Sequence, residues 1–141
     1  MKILILCTGN SCRSQMAHGF VQSFLPSAMV RSAGTCPAKC VNPIAVKVMR
    51  EVGIDISHHQ PQNVLRYVDE AWDLVVTVCG DADKKCPTFS GRVRRRLHIG
   101  FDDPSEVVGA EECVMPEFKR VRDEIGHAFR QLLEAEMRAR I

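Results

Sequence analysis

The feature that most constrains the fold is a short apolar run, Ile3-Leu4-Ile5-Leu6, that turns through Cys7-Thr8-Gly9-Asn10-Ser11-Cys12-Arg13-Ser14 into a segment of helical periodicity. An unbroken apolar run of this length reads as a strand covered on both faces, the habit of parallel sheets. From 14 to 25 the side chains of Met16, Ala17, Phe20, Val21, Phe24 and Leu25 recur at helical spacing, and Pro26 ends the pattern. A strand that turns through Gly, Asn and Ser into a helix N-terminus gathers backbone N–H groups at the positive end of the helix dipole. That makes an oxyanion site. A cysteine opening the turn is expected to have a lowered pKa. Arg13, six residues on, can return to the loop and fork onto two oxygens of a tetrahedral anion. The turn therefore reads as a nucleophile beside a cradle for phosphate or a look-alike. The plainer alternative, a buried cysteine with a surface arginine, leaves the agreement of strand, loop, arginine and helix unexplained.

The rest of the chain repeats this alternation. A second strand is expected over 29–33, closed by Gly34. Asn42 then caps a helix with Pro43 in its first turn and Gly53 at its exit, and Ile44, Ala45, Val48, Met49 and Val52 form its apolar face. A loop with His58, His59 and Pro61 leads to a short helix over 62–68. Residues 74–78 carry the strongest strand signal, with Cys79 at its end. Residues 80–85 are polar and fit either a loop or a short helix. A fourth strand is expected over 95–99, an irregular stretch over 105–115, and a long helix opened by Pro116. That helix has Phe118, Val121, Ile125, Phe129, Leu132 and Leu133 on one face. Strands alternating with helices imply an α/β fold, a four-stranded parallel sheet flanked by helices on both faces, formed by one domain over 1–141. Ligands of such sheets bind beyond the C-terminal ends of the strands, where Cys7, Cys79 and Asp103 all stand.

Bulk composition excludes several alternatives. A net charge of +2 is too small to argue for nucleic acid, and the basic run Arg92, Arg94-Arg95-Arg96 reads as solvated or as weak anion steering. No apolar run approaches the roughly 20 residues of a membrane span. The N-terminal run ends at Cys7 without a cleavage region. Seven cysteines without an export signal point to reduced thiols in the cytoplasm.

Two chemistries fit a cysteine followed at this spacing by an arginine. In a phosphatase the thiolate attacks phosphorus, an Asp protonates the leaving oxygen and water cleaves the adduct. In a reductase the attacked centre accepts electrons that further thiols must supply. Cys79 and Cys86, flanking the polar segment 80–85, could be those thiols or two incidental ones; spacing alone leaves the choice open. Asp103, fixed by Pro104, is the acid candidate, and Asp102 reads as a turn or cap residue. Cys12 is assigned to packing, and Cys36, Cys40 and Cys113 to no function; Cys36 and Cys40 resemble half of a metal site with no second half.

The residues resemble the thioredoxin-coupled arsenate reductases, which share the low-molecular-weight tyrosine phosphatase fold. The resemblance runs over most of the chain. It rests on Cys7 through Ala17, Ser32-Ala33-Gly34, Val52 through Ser57, Asp73 through Cys79, Cys86-Pro87, Gly100 through Pro104 and Phe118 through Ile125. Phosphatases of the fold usually carry Asp-Pro-Tyr where this chain has Asp103-Pro104-Ser105, and generally lack a matching Cys79 and Cys86. The resemblance implies arsenate reduction, and so arsenic detoxification, by a relay in which Cys7, Cys79 and Cys86 act in turn. Arg13 and the loop Thr8, Gly9, Asn10, Ser11, Cys12, Arg13 and Ser14 would hold the oxyanion, and Asp103 would protonate the departing oxygen. Phosphate and sulfate would compete, and thioredoxin would restore the thiols. It further implies a cytoplasmic monomer without a cofactor. Many members bind potassium through acidic residues at the places of His18 and Gln62. Without those carboxylates, no metal site is expected here.

Overall fold

The computed structural model describes residues 1–140. Four parallel strands form one sheet in the order β2-β1-β3-β4: β1 is Lys2–Cys7, β2 Met29–Gly34, β3 Trp72–Thr77 and β4 Val93–His98. Four helices follow the strands, α1 at Arg13–Phe24, α2 at Pro43–Glu51, α3 at Gly80–Lys85 and α4 at Glu111–Ala139, with 3-10 turns at Val64–Arg66 and Pro104–Glu106. Strand alternation sends Ile3, Ile5, Leu74 and Val76 into one core layer and Leu4, Leu6 and Val75 into the other.

The two faces are covered unequally. The apolar stripes of α1, α2 and α4 share the first layer, where Met16, Met49, Phe118, Ile125 and Phe129 have no exposed surface. The second layer is closed by the turn around Val64 and by Tyr67, Trp72, Cys86 and Phe89. The expected helix over 62–68 shrinks to one turn, Val64–Arg66, capped by Asn63.

The capping expectation for α2 holds. Asn42 accepts from the Ile44 amide at 2.8 Å, Pro43 begins the helix, and Gly53 beyond it has φ +81°. The expectation for α4 does not. The helix begins at Glu111, inside the stretch read as irregular, and Pro116 lies within it. Val114 is buried against the core, so packing draws the preceding turn into helix, and the two glutamates of its first turn suit the dipole. Among the described residues no helix is long and apolar enough to cross a membrane.

Candidate active site

The loop from Cys7 to Arg13 is shaped from outside. The carbonyls of Cys7, Thr8, Gly9 and Ser11 accept hydrogen bonds from the amides of Thr35, Cys36, Ala38 and Asn42, at 3.2, 2.9, 2.8 and 2.8 Å. With its carbonyls turned outward onto this segment, the loop keeps its own N–H groups for the concave side. The N-terminus of α1 adds to them, since no side chain caps it. Asn10 takes the left-handed conformation, φ 52°, and is fixed there by three bonds. Its Nδ2 donates to Ser14 Oγ at 2.8 Å, its Oδ1 accepts from the Gln62 amide at 2.9 Å, and its carbonyl accepts from Gln15 Nε2 at 3.0 Å. The brace over 35–42 is invisible to periodicity. Its one local sign is Gly34, where a Cβ would come within 2.3 Å of the Thr8 carbonyl oxygen.

At the ends of β1 and β3 the thiols of Cys7 and Cys79, both buried, stand close enough for each to shift the other's ionisation. Cys79 also sits 3.4 Å from Thr8 Oγ1 and caps α3, its Sγ accepting from the Ala82 amide at 3.4 Å. Cys79 is pulled down to about 5, first by the Cys7 thiol and then by the Thr8 hydroxyl and the Ala82 amide, against the opposing effect of burial. Cys7 moves up, first through the Cys79 thiol and then through burial, although Arg13 and the Thr8 amide act to lower it. The second thiol thus opposes ionisation of Cys7 and favours that of Cys79. Burial and this neighbour act against the lowering expected of Cys7, while Arg13 and the loop act for it.

Arg13 reaches across the mouth of the loop. Its Nη1 donates to the Phe101 carbonyl at 3.1 Å, and its Nη2 lies 3.4 Å from Asp103 Oδ2. The other oxygen of Asp103 accepts from the Ser105 amide at 3.0 Å and hydroxyl at 2.6 Å, capping the second 3-10 turn. Capping therefore falls to Asp103 and not, as expected, to Asp102, which is exposed and pairs with Arg120 at 3.1 Å. Cys7, Arg13, Cys79 and Asp103 come together at one end of the sheet. Cys86 ends α3, half-buried, its thiol raised chiefly by burial. Cys12 packs in the core, pushed up to about 12 by burial, and Cys36, Cys40 and Cys113 are exposed.

The potassium position implied by the resemblance does not suit a hard cation in this chain. Ser32 Oγ is bonded to His18 Nδ1 at 2.9 Å, Asn10 Oδ1 to the Gln62 amide, and Gln62 Oε1 to Arg66 at 2.8 Å. No carboxylate enters the set.

The sequence profile of the low molecular weight phosphotyrosine protein phosphatase family matches residues 2–140. An arsenate reductase of Bacillus subtilis (strain 168) is 49% identical over 133 residues, 94% of each chain. Among solved structures, an arsenate reductase in the phosphate binding state superposes with a TM-score of 0.79 at 28% identity, covering 95% of this chain and 97% of that one. A thioredoxin-dependent arsenate reductase of Corynebacterium glutamicum gives a TM-score of 0.70 at 26% identity, over 98% of this chain and 62% of the other.

Proposed function

The chain belongs to the low molecular weight phosphotyrosine protein phosphatase family, and from that premise we propose that it is a single-domain arsenate reductase, working through Cys7, Cys79 and Cys86 and re-reduced by thioredoxin. The observation that carries the reading over a phosphatase is a second thiol beside the first, Cys79 Sγ lying 3.4 Å from the hydroxyl of Thr8, the residue after Cys7. Ester hydrolysis needs no sulfur next to the nucleophile, whereas a disulfide relay needs one there. Relatives named arsenate reductase support the same choice.

The steps follow from the geometry. Arsenate enters the ring of loop amides and draws Arg13 off Asp103, so that the guanidinium forks onto two of its oxygens. The Cys7 proton passes to Cys79, and the Cys7 thiolate attacks arsenic. One oxygen leaves as water, with Asp103 as the proton donor. Cys79 then gives its proton to solvent, helped by the Thr8 hydroxyl and the N-terminus of α3, and its thiolate attacks Cys7 Sγ. The S–As bond breaks, its electron pair stays on arsenic, and arsenite departs, leaving a Cys7–Cys79 disulfide. Cys86 attacks Cys79, frees Cys7 and leaves Cys79–Cys86. A protein dithiol reduces that bond and is itself oxidised. Phosphate and sulfate, tetrahedral like arsenate, compete for the loop. We place the enzyme in the cytoplasm, where thiols stay reduced, as a monomer that contributes to arsenic detoxification.

The test is arsenate-dependent NADPH oxidation with thioredoxin and its reductase, repeated with a glutaredoxin system and, for the phosphatase alternative, with an aryl phosphate and no reductant. Consumption driven by thioredoxin supports the proposal; ester turnover without reductant and no response to arsenate overturns it. Cys7→Ser should abolish activity, because a hydroxyl is hardly ionised at neutral pH. Arg13→Lys should be severely impaired, because an ammonium cannot fork.

A further inference from the structure

The basic run left unassigned by the fold divides between two faces. Strand alternation turns Arg95 toward α4, where it pairs with Glu136, and turns Arg96 to the opposite side of the sheet's edge. There Arg96 lies over the ring of Phe89, 5.5 Å from its centroid, and Phe89 packs in the same cluster as Cys86 and Val93. Among the described residues Arg96 has neither a carboxylate partner nor a side-chain hydrogen bond, so its N–H donors are free beside the last thiol of the relay. The nearby acids are otherwise engaged. Asp81 is bonded to Thr8 at 3.1 Å and to Lys85 at 3.3 Å, and Asp83 accepts from the Thr77 hydroxyl at 3.2 Å. Lys84 is exposed and also lacks a carboxylate partner among the described residues. The strand that carries Arg96 is an edge of the sheet, with backbone groups open on its outer side.

We propose that Arg96 and Lys84, with Phe89 and the outer edge of β4, form the docking surface for the protein that reduces the Cys79–Cys86 disulfide, and that this partner carries carboxylates around its own dithiol. The proposal rests on the reductase reading and adds the partner's chemistry. Charge on an edge strand also prevents sheets from pairing with one another. That purpose does not require an arginine stacked beside Cys86 with its donors free. On this surface a partner thiolate attacks the Cys86 sulfur of the disulfide; as free thiols, Cys86 is half-buried and Cys79 buried. A mixed disulfide forms and Cys79 leaves as thiolate. The partner's second thiol then attacks the mixed disulfide, releasing Cys86 and leaving the partner oxidised.

The experiment uses the full chain with its Cys79–Cys86 disulfide formed by one equivalent of arsenate. Reduction is followed with thioredoxin, and separately with dithiothreitol, which is uncharged and needs no docking surface. Arg96→Glu and Lys84→Glu should each lower the second-order rate with thioredoxin, Arg96→Glu by about tenfold at low ionic strength. The deficit should shrink as salt screens the charges, with the dithiothreitol rate unchanged. Arg130→Glu makes the same change of net charge at a cation that lies over Phe24 on the helical face, and should match the wild type. A thioredoxin rate unaffected by Arg96→Glu overturns the proposal. So does a loss shared equally by dithiothreitol or by Arg130→Glu. Failure of the reductase reading would show itself separately, as no disulfide formed by arsenate in the wild type.

Discussion

Two neighbouring thiols compete for one negative charge in this site. Cys7, Arg13 and Asp103 are legible in the sequence, because a strand running into a glycine-containing turn and a helix leaves few places for a nucleophile and its cradle. The protonation of Cys7 is not legible, since it depends on where another strand ends. The competition has a measurable consequence. The wild type should hold one thiolate down to about 5, seen as ultraviolet thiolate absorbance, on Cys79. In Cys79→Ala that titration should vanish. Cys7 should then ionise at lower pH than in the wild type, because the largest influence raising it is gone while Arg13 and the Thr8 amide remain. If Cys79→Ala keeps a thiolate titrating at about 5, the charge belongs to Cys7 and the assignment is wrong. Asp103 teaches a related lesson. Adjacent acids look alike in a sequence, and only the Ser105 amide and the Arg13 guanidinium distinguish Asp103 from Asp102.

At the scale of elements, the proposed relay makes α3 the part that has to move. Six residues, four of them charged and with a glycine at their head, fit a loop as well as a helix. The tertiary setting decides, through Cys79 as cap, Ala82 buried in the core, acids in the first turn and lysines in the last. A helix carries residues seven apart to about 10 Å between Cα atoms, and a disulfide tolerates only about 4.4–6.8 Å. The Cys79–Cys86 bond therefore cannot form while Gly80–Lys85 is helical. Unwinding costs the burial of Ala82 and the links Thr8–Asp81 and Thr77–Asp83, a short list beside the interior of the sheet. Oxidation should raise amide exchange over 80–86 and leave β1 and β3 protected. Cys86→Ser should complete about one turnover and stall as the Cys7–Cys79 disulfide, located by mass mapping. Normal turnover by Cys86→Ser with thioredoxin, or an oxidised α3 as protected as the reduced one, would remove this step from the scheme.

For the whole molecule, the parallel sheet and its active end follow from the alternation of apolar runs with amphipathic stretches. The unequal cover of its faces does not, because a 3-10 turn and a loop leave no periodic trace. The start of α4 was hidden for a similar reason, since Pro116 imitates a helix opening and the burial of Val114 is a tertiary fact. Nor could periodicity reveal what replaces the potassium ligands, a packed histidine cluster. The His18 ring lies 4.4 Å from that of His59, which meets His58 at 4.7 Å and hydrogen-bonds Gln15 at 2.9 Å. A melting temperature that rises with potassium but not with sodium, at equal ionic strength, would contradict the replacement; equal responses are expected.

The same cluster should couple stability to pH. His18 is lowered to about 3, by burial first and then by the charges that His59, Arg31 and His58 would place beside it. Its ordinary value in an unfolded chain is 6.5. Between these values the unfolded state binds a proton that the folded state refuses, so stability rises with pH across the window and is lost as pH falls from 6.5 toward 3. The slope for one such group is at most about 1.4 kcal/mol per pH unit. His59, lowered to about 4 by burial and by His58, acts in the same direction over the upper part of the range. The wild-type Tm should therefore fall between pH 6.5 and 4. In His18→Gln, which cannot take up that proton in either state, it should fall less. Carboxylates titrating at the lower edge of this range affect both proteins alike, so the difference between the two curves isolates the histidine. Parallel curves across the window would mean that His18 accepts its proton in the folded protein as readily as in the unfolded one.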